Sequence, residues 1–117
     1  MSSKKKQVRK AFRDAVFKRD RFTCQVCRKQ WSAQDADPAL KRINAHHITD
    51  RSLMPNGGYV KENGITVCDG EDSCHMRCEK YHISEGEVWD EGLAPWDLYE
   101  KIGSSHEKAV EASERLG

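Results

Sequence analysis

Between Gln7 and about Arg19, the apolar residues Val8, Ala11, Phe12, Ala15 and Val16 recur at helical spacing, with Lys and Arg on the open face. That period predicts an amphipathic helix. Ahead of it, Met1 to Lys6 has no apolar stripe and reads as a disordered basic tail. Phe22 to Cys27 suits a short extended segment that turns at Cys24-Gln25-Val26-Cys27, and Trp31 with the polar run Ser32 to Pro38 reads as a loop. Ile43 to Ile48 has the composition of a β-strand, Pro55-Asn56-Gly57-Gly58 is a strong turn signal, and a second short strand is expected around Ile65 to Val67. Ser73 is placed to cap a helix running to about His82. The central order is therefore strand, loop, strand, helix.

The C-terminal stretch also reads as helical. Pro95 suits the first turn of a helix through Lys101 that Gly103 would end. Ser104 and Glu107 match a capping box opening a further helix toward Arg115. Trp89, Trp96, Leu98 and Ile102 are the expected anchors for packing this region.

Composition changes the picture by limiting the core. The 117 residues suit one small domain, but only 37% are hydrophobic while 33% are charged. A domain with so thin a core commonly needs a disulfide or a metal. The five cysteines are an odd number, include a CxxC pair and follow no signal-like apolar segment. Reduced thiols on a metal fit this better than a disulfide framework. No run approaches the roughly 18 apolar residues of a membrane span, so a cytoplasmic protein without membrane contact is expected.

The net charge of +1 hides an asymmetry. Residues 1–21 hold nine Lys and Arg against Asp14 and Asp20, a balance of +7. Residues 83–117 hold three basic against nine acidic residues, a balance of −6. A basic arm attracts polyanions through salt-dependent phosphate contacts. Lys4, Lys5, Lys6, Arg9, Lys10 and Arg13 are the candidate nucleic-acid-binding residues, unless they merely solvate the terminus.

Structural zinc prefers four soft ligands in a tetrahedron, and a CxxC knuckle supplies two from one turn. Cys24 and Cys27 would be that pair, with Cys68 and Cys74 completing the set from a strand end and a helix start. The second pair is separated by five residues, so Asp69-Gly70-Glu71-Asp72 must form a loop between ligands. Cys78, one helical turn past Cys74, is the alternative fourth ligand. The adjacent His46 and His47 point to opposite faces of a regular strand. One can therefore ligate a metal while the other faces substrate as a base, since imidazole suits both roles. Asn63 and His75 follow in an order that can add a positioner and a second ligand.

Taken together, the CxxC pair, Ala45-His46-His47-Ile48, the Gly57-Gly58 turn, Asn63-Gly64-Ile65-Thr66-Val67-Cys68 and Cys74-His75 resemble the zinc-containing branch of the HNH nucleases. The likeness spans roughly Phe12 to His82. It implies an α+β fold: a small zinc-stabilised ββα-metal core with a basic N-terminal helix and C-terminal helices. Residues 7–83 would be the nuclease domain, and 84–117 an acidic helical extension packed on it. The resemblance makes His46 a metal ligand, His47 the general base, Asn63 the residue that braces the loop and aligns the base, and His75 a metal ligand on the helix. It implies hydrolysis of DNA phosphodiester bonds with one divalent metal, such as Mg²⁺ or Mn²⁺, leaving 5′-phosphate and 3′-hydroxyl ends. It also admits a bacteriophage origin and a phage or restriction protein as partner.

Many members carry a further histidine one turn beyond the helical one, where this chain has Glu79. On a continuous helix Glu79 lies about 6 Å along the axis from His75, and His82 about 10.5 Å. Only the nearer residue readily shares an ion with His75, so Glu79 is the candidate third ligand, and its oxygen suits a hard ion. Two other classes compete with the nuclease: a non-catalytic zinc module binding nucleic acid or protein, and a thiol redox or metal-sensing protein.

Overall fold

A computed structural model describes residues 2–70 and 73–116, with the backbone only at Ser2 and Ser3. The first helix, α1, spans Ser2–Arg19. It begins five residues earlier than the apolar stripe predicts, so the expected disordered tail is helical from Ser2 onward, and Met1 lies outside the described residues. Lysine is a good helix former and neither Gly nor Pro interrupts residues 2–7, so the helix extends without an apolar face to hold it. Phe12, Val16 and Phe17 are the residues it buries, whereas Ala11 is exposed. Its end is stitched to the sheet by the buried Asp20, whose carboxylate accepts from the Thr66 N–H at 2.9 Å.

Strand β1 (Ile43–His47) pairs antiparallel with β2 (Gly64–Cys68), so that Ile43 faces Cys68 and His47 faces Gly64. Alternation sends Ile43 and Ala45 into a cluster with Phe12, Val16 and Phe17. Ile65 and Val67 of β2 point the other way, into the larger cluster with Cys74, Cys78, Leu93, Leu98 and Tyr99. The small sheet thus lies between α1 and the later helices. Gly64 lets α1 pack closely on the sheet, since a Cβ there would stand 2.5 Å from Val16 and 2.7 Å from Phe12.

Helix α2 (Cys74–Ile83) is capped by Ser73, whose hydroxyl accepts from the Met76 N–H at 3.3 Å. Helices α3 (Pro95–Lys101) and α4 (His106–Glu114) follow. The cap of α4 is Ser105, not Ser104: its hydroxyl accepts from the Lys108 N–H at 3.1 Å. Ser104 instead donates to the Glu62 carbonyl at 2.9 Å. Leu98 is buried as expected, but Trp89 and Trp96 are 40% and 55% exposed, packing on each other and on Tyr81 at the surface. Trp31 is followed by two short 3-10 turns, Ala33–Ala36 and Pro38–Leu40, where an irregular loop was expected.

The result is a mixed α+β chain with four α-helices and one two-stranded antiparallel sheet among the described residues. Among them, no helix is long and apolar enough to cross a membrane.

Candidate catalytic and metal-binding site

Cys24 and Cys27 sit in a tight turn held by Cys24 N–H to the Lys29 carbonyl and Gln25 N–H to the Thr66 carbonyl, both 2.9 Å. β2 brings Cys68 beside them and the first residue of α2 supplies Cys74. The four sulfurs lie within 4.8 Å of one another, a cluster that could hold a metal ion. No disulfide joins them, and Cys27 and Cys68 are 3.9 Å apart, far beyond a sulfur–sulfur bond. Burial pushes the Cys24 thiol up, but N–H groups of Cys27, Cys68 and Val26 outweigh it and bring its pKa down to about 7. Burial and the neighbouring sulfurs drive Cys74 the other way. Thiolates gathered this closely repel, a conflict that a cation held among them would relieve. Cys78 lies outside the cluster, 1% exposed in the core, with burial pushing its thiol up to about 12. Glu71 and Asp72 of the ligand loop lie outside the described residues.

A second cluster, His46, His75 and Glu79, also brings its donor atoms within 4.8 Å of one another. The sheet turns His46 toward α2, where the i, i+4 spacing aligns the other two. Glu79 Oε1 is 3.2 Å from His75 Nε2 and 3.4 Å from His46 Nδ1. Neither approach is aligned as a hydrogen bond, and both ring nitrogens of His46, 1% exposed, lack partners. Burial holds His46 below the usual histidine pKa, while the closeness of the His46 and His75 rings holds Glu79 well below the carboxylate range. Two neutral-capable imidazoles and one ionised carboxylate form a donor set suited to a divalent cation, and the orphaned His46 nitrogens fit such a ligand.

His75 has an outer partner that the sequence reading missed. Asp69 Oδ1 lies 3.1 Å from His75 Nδ1, leaving Nε2 directed at the cluster. Burial lowers the His75 pKa, but Glu79 and Asp69 outweigh it and raise it overall. A carboxylate behind a histidine ligand fixes its tautomer and ring orientation. His82 joins the group differently: its ring stacks on His46 at 5.2 Å, and Nε2 lies 2.9 Å from the His47 carbonyl. A carbonyl only accepts, so that nitrogen carries the proton.

His47 faces the opposite side of the strand. Its ring stacks on Phe12 at 4.6 Å and meets the Tyr59 ring edge-on at 4.7 Å. Burial, then the proximity of His46, brings its pKa down to about 4. The imidazole is therefore neutral near pH 7 and able to take a proton. His47, His75, Glu79, Arg9 and Arg13 line one cavity of about 400 Å³.

Asn63 is fully buried and spends its whole amide on protein groups. Its Oδ1 accepts from the Thr49 N–H at 2.9 Å and the Tyr99 hydroxyl at 2.7 Å. Its Nδ2 donates to the carbonyls of Thr49 at 3.0 Å and Gly58 at 3.3 Å. Gly58, at φ +66, leaves room for it, since a Cβ would stand 2.7 Å from Nδ2. Asn63 therefore clamps the loop after β1 and offers nothing to a substrate. Tyr99 left no sequence signal for this role, which comes from a different helix.

The predicted basic residues divide. Arg9 and Arg13 border the cavity, and Lys4 and Lys5 border an adjoining pocket with Arg9. Lys10 pairs with Asp14 at 2.7 Å, while Lys6 is exposed and borders neither pocket. Comparison with known proteins finds no matching family model, no matching curated protein and no matching solved structure.

Proposed function

We propose that this chain is a metal-dependent endonuclease of the HNH type that hydrolyses DNA phosphodiester bonds. The observation that carries the reading is one cavity lined by His75 and Glu79, which cluster with the buried His46 as a metal-ligand set, and by a neutral His47 from the other face of the strand, with Arg9 and Arg13 beside it. The β1–loop–β2–α2 order supports a ββα-metal core, and Cys24, Cys27, Cys68 and Cys74 would hold structural Zn²⁺.

His47 takes the proton from the attacking water, since burial keeps its imidazole neutral and its ring lines the cavity. Phe12 and Tyr59 hold its ring, and Asn63 holds the loop that follows it. Asp69 orients His75. A divalent cation bound by His46, His75 and Glu79 would neutralise phosphate charge and stabilise the departing oxygen. Arg9 and Arg13 hold the backbone without reading bases, so intrinsic sequence preference is weak.

Supercoiled plasmid incubated with the zinc-loaded protein and a panel of divalent cations tests the proposal, with nicked or linear product expected. Absence of cleavage with every cation, from folded protein, would leave a non-catalytic zinc module.

The third ligand is separately testable by titrating Mn²⁺ into variants. Glu79→Ala should weaken Mn²⁺ affinity by more than about tenfold, since even outer partners of metal ligands are worth roughly 10–100-fold. His82→Ala should cost less, because His82 spends Nε2 on the His47 carbonyl. The reverse ranking would remove Glu79 from the site. A variant with Gln at Lys4, Lys5, Lys6, Arg9 and Lys10 should bind DNA more weakly with a flatter salt dependence. An unchanged slope would assign those charges to solubility.

A further inference from the structure

Tyr59 holds two arginines that come from separate parts of the chain. The Arg9 guanidinium of α1 lies over its ring, 5.8 Å from the centroid. Arg51, from the loop after β1, donates to its hydroxyl at 3.0 Å. The same ring stands edge-on to His47 at 4.7 Å, so both cations are referenced to the base through one rigid aromatic. Neither arginine forms an ion pair with a carboxylate among the described residues. Asp50, the nearest candidate for Arg51, is engaged by the Ser52 N–H and hydroxyl.

Position adds to this. Arg9 and Tyr59 border both the cavity containing His47 and the adjoining pocket, of about 370 Å³, lined by Lys4 and Lys5. Lys5, Arg9 and Arg13 follow one another at four-residue intervals on α1, about 6 Å apart along the axis. A row of cations therefore leads away from the base, and Arg9, which lies over the Tyr59 ring, stands at the junction. Unpaired guanidiniums suit phosphate oxygens, because their planar donor fork matches two oxygens at once.

We propose that Arg9 and Arg51, both fixed by Tyr59, form a second anion subsite that takes the DNA phosphate next to the one being cleaved, with the strand continuing along α1 past Lys5 and Lys4. This rests on the endonuclease reading and adds a residue, Arg51, outside the basic arm. Tyr59 is a positioning residue in this arrangement, and the arginines are the binding groups.

Arg51→Gln, Arg9→Gln and Tyr59→Phe separate the contributions; the last removes the hydroxyl that holds Arg51 but keeps the ring beneath Arg9. The first measurement is binding of a fluorescein-labelled DNA oligonucleotide to zinc-loaded protein without added divalent cation, across a salt series. Each arginine variant should bind about tenfold more weakly and lose about one from the salt slope. Tyr59→Phe should show a smaller loss with an unchanged slope. The second measurement compares cleavage of the oligonucleotide with hydrolysis of bis(p-nitrophenyl) phosphate, which carries a single phosphate. The loss of kcat/KM in Arg51→Gln should be at least about tenfold larger on DNA, and should fall on KM.

Wild-type affinity and slope in Arg51→Gln would overturn the subsite. Equal losses on both substrates would do so too, by placing the arginine at the reacting phosphate. If the wild type hydrolyses neither substrate, the endonuclease reading fails by itself, and the binding series alone decides whether the arginines form an anion site.

Discussion

Replacing His47 with alanine should slow DNA cleavage by about 10²–10⁴-fold, the usual contribution of a positioned general base. The substitution leaves His46, His75 and Glu79 in place, so Mn²⁺ affinity and zinc content should stay close to wild type. It does open space against Phe12 and Tyr59, which pack on the imidazole, so a modest loss of thermal stability should accompany it. The diagnostic combination is a folded, metal-competent protein that binds DNA but barely cuts it. Cleavage near the wild-type rate, with contaminating metals controlled, would mean that another group takes the proton.

Cys27→Ser should have the largest effect on the fold. Structural zinc is worth about 10–16 kcal/mol at neutral pH in small domains, against a total stability of about 5–15 kcal/mol. Cys27 is exposed, so the serine itself costs little in packing and any collapse reports on the metal. Cys78→Ser is the matching control: Cys78 is buried in the core but stands apart from the sulfur cluster. That variant should lose packing stability and keep its zinc. Zinc content by elemental analysis and thermal unfolding by circular dichroism distinguish the two. A soluble Cys27→Ser protein that unfolds cooperatively without zinc would sink the clamp.

What the sequence discloses about this fold is what is local. The turn at Pro55–Gly58, the strands around Ile43 and Ile65, and the Ser73 cap each follow from residues within a few positions of one another. The approach of Glu79 to His75 is likewise a property of one helix. Across-chain partnerships leave no such mark. Tyr99 reaches Asn63 and Arg51 reaches Tyr59 only because the chain has folded, and no periodicity announces either. The choice between Ser104 and Ser105 as a cap is of the same kind. Both suit the role, and the bond from Ser104 to the Glu62 carbonyl decides it. Trp89 and Trp96 mislead because large aromatics usually mark a core, whereas here they shelter one another and Tyr81 at the surface.

The hydroxyl of Tyr99 on the amide of Asn63 bears on how this chain can be dissected. Every proposed ligand, the base and the clamp lie before Ile83, so a fragment ending there would carry the full set of motifs. It would nonetheless lack the latch that α3 provides, together with Leu93, Leu98 and Ala109, which fill the same core as Ile48 and Cys74. Such a piece, grafted into another protein, would arrive with its chemistry complete and the loop behind its base unfastened. The acidic third of the chain, which carries no proposed ligand, is thus part of the tool rather than its handle.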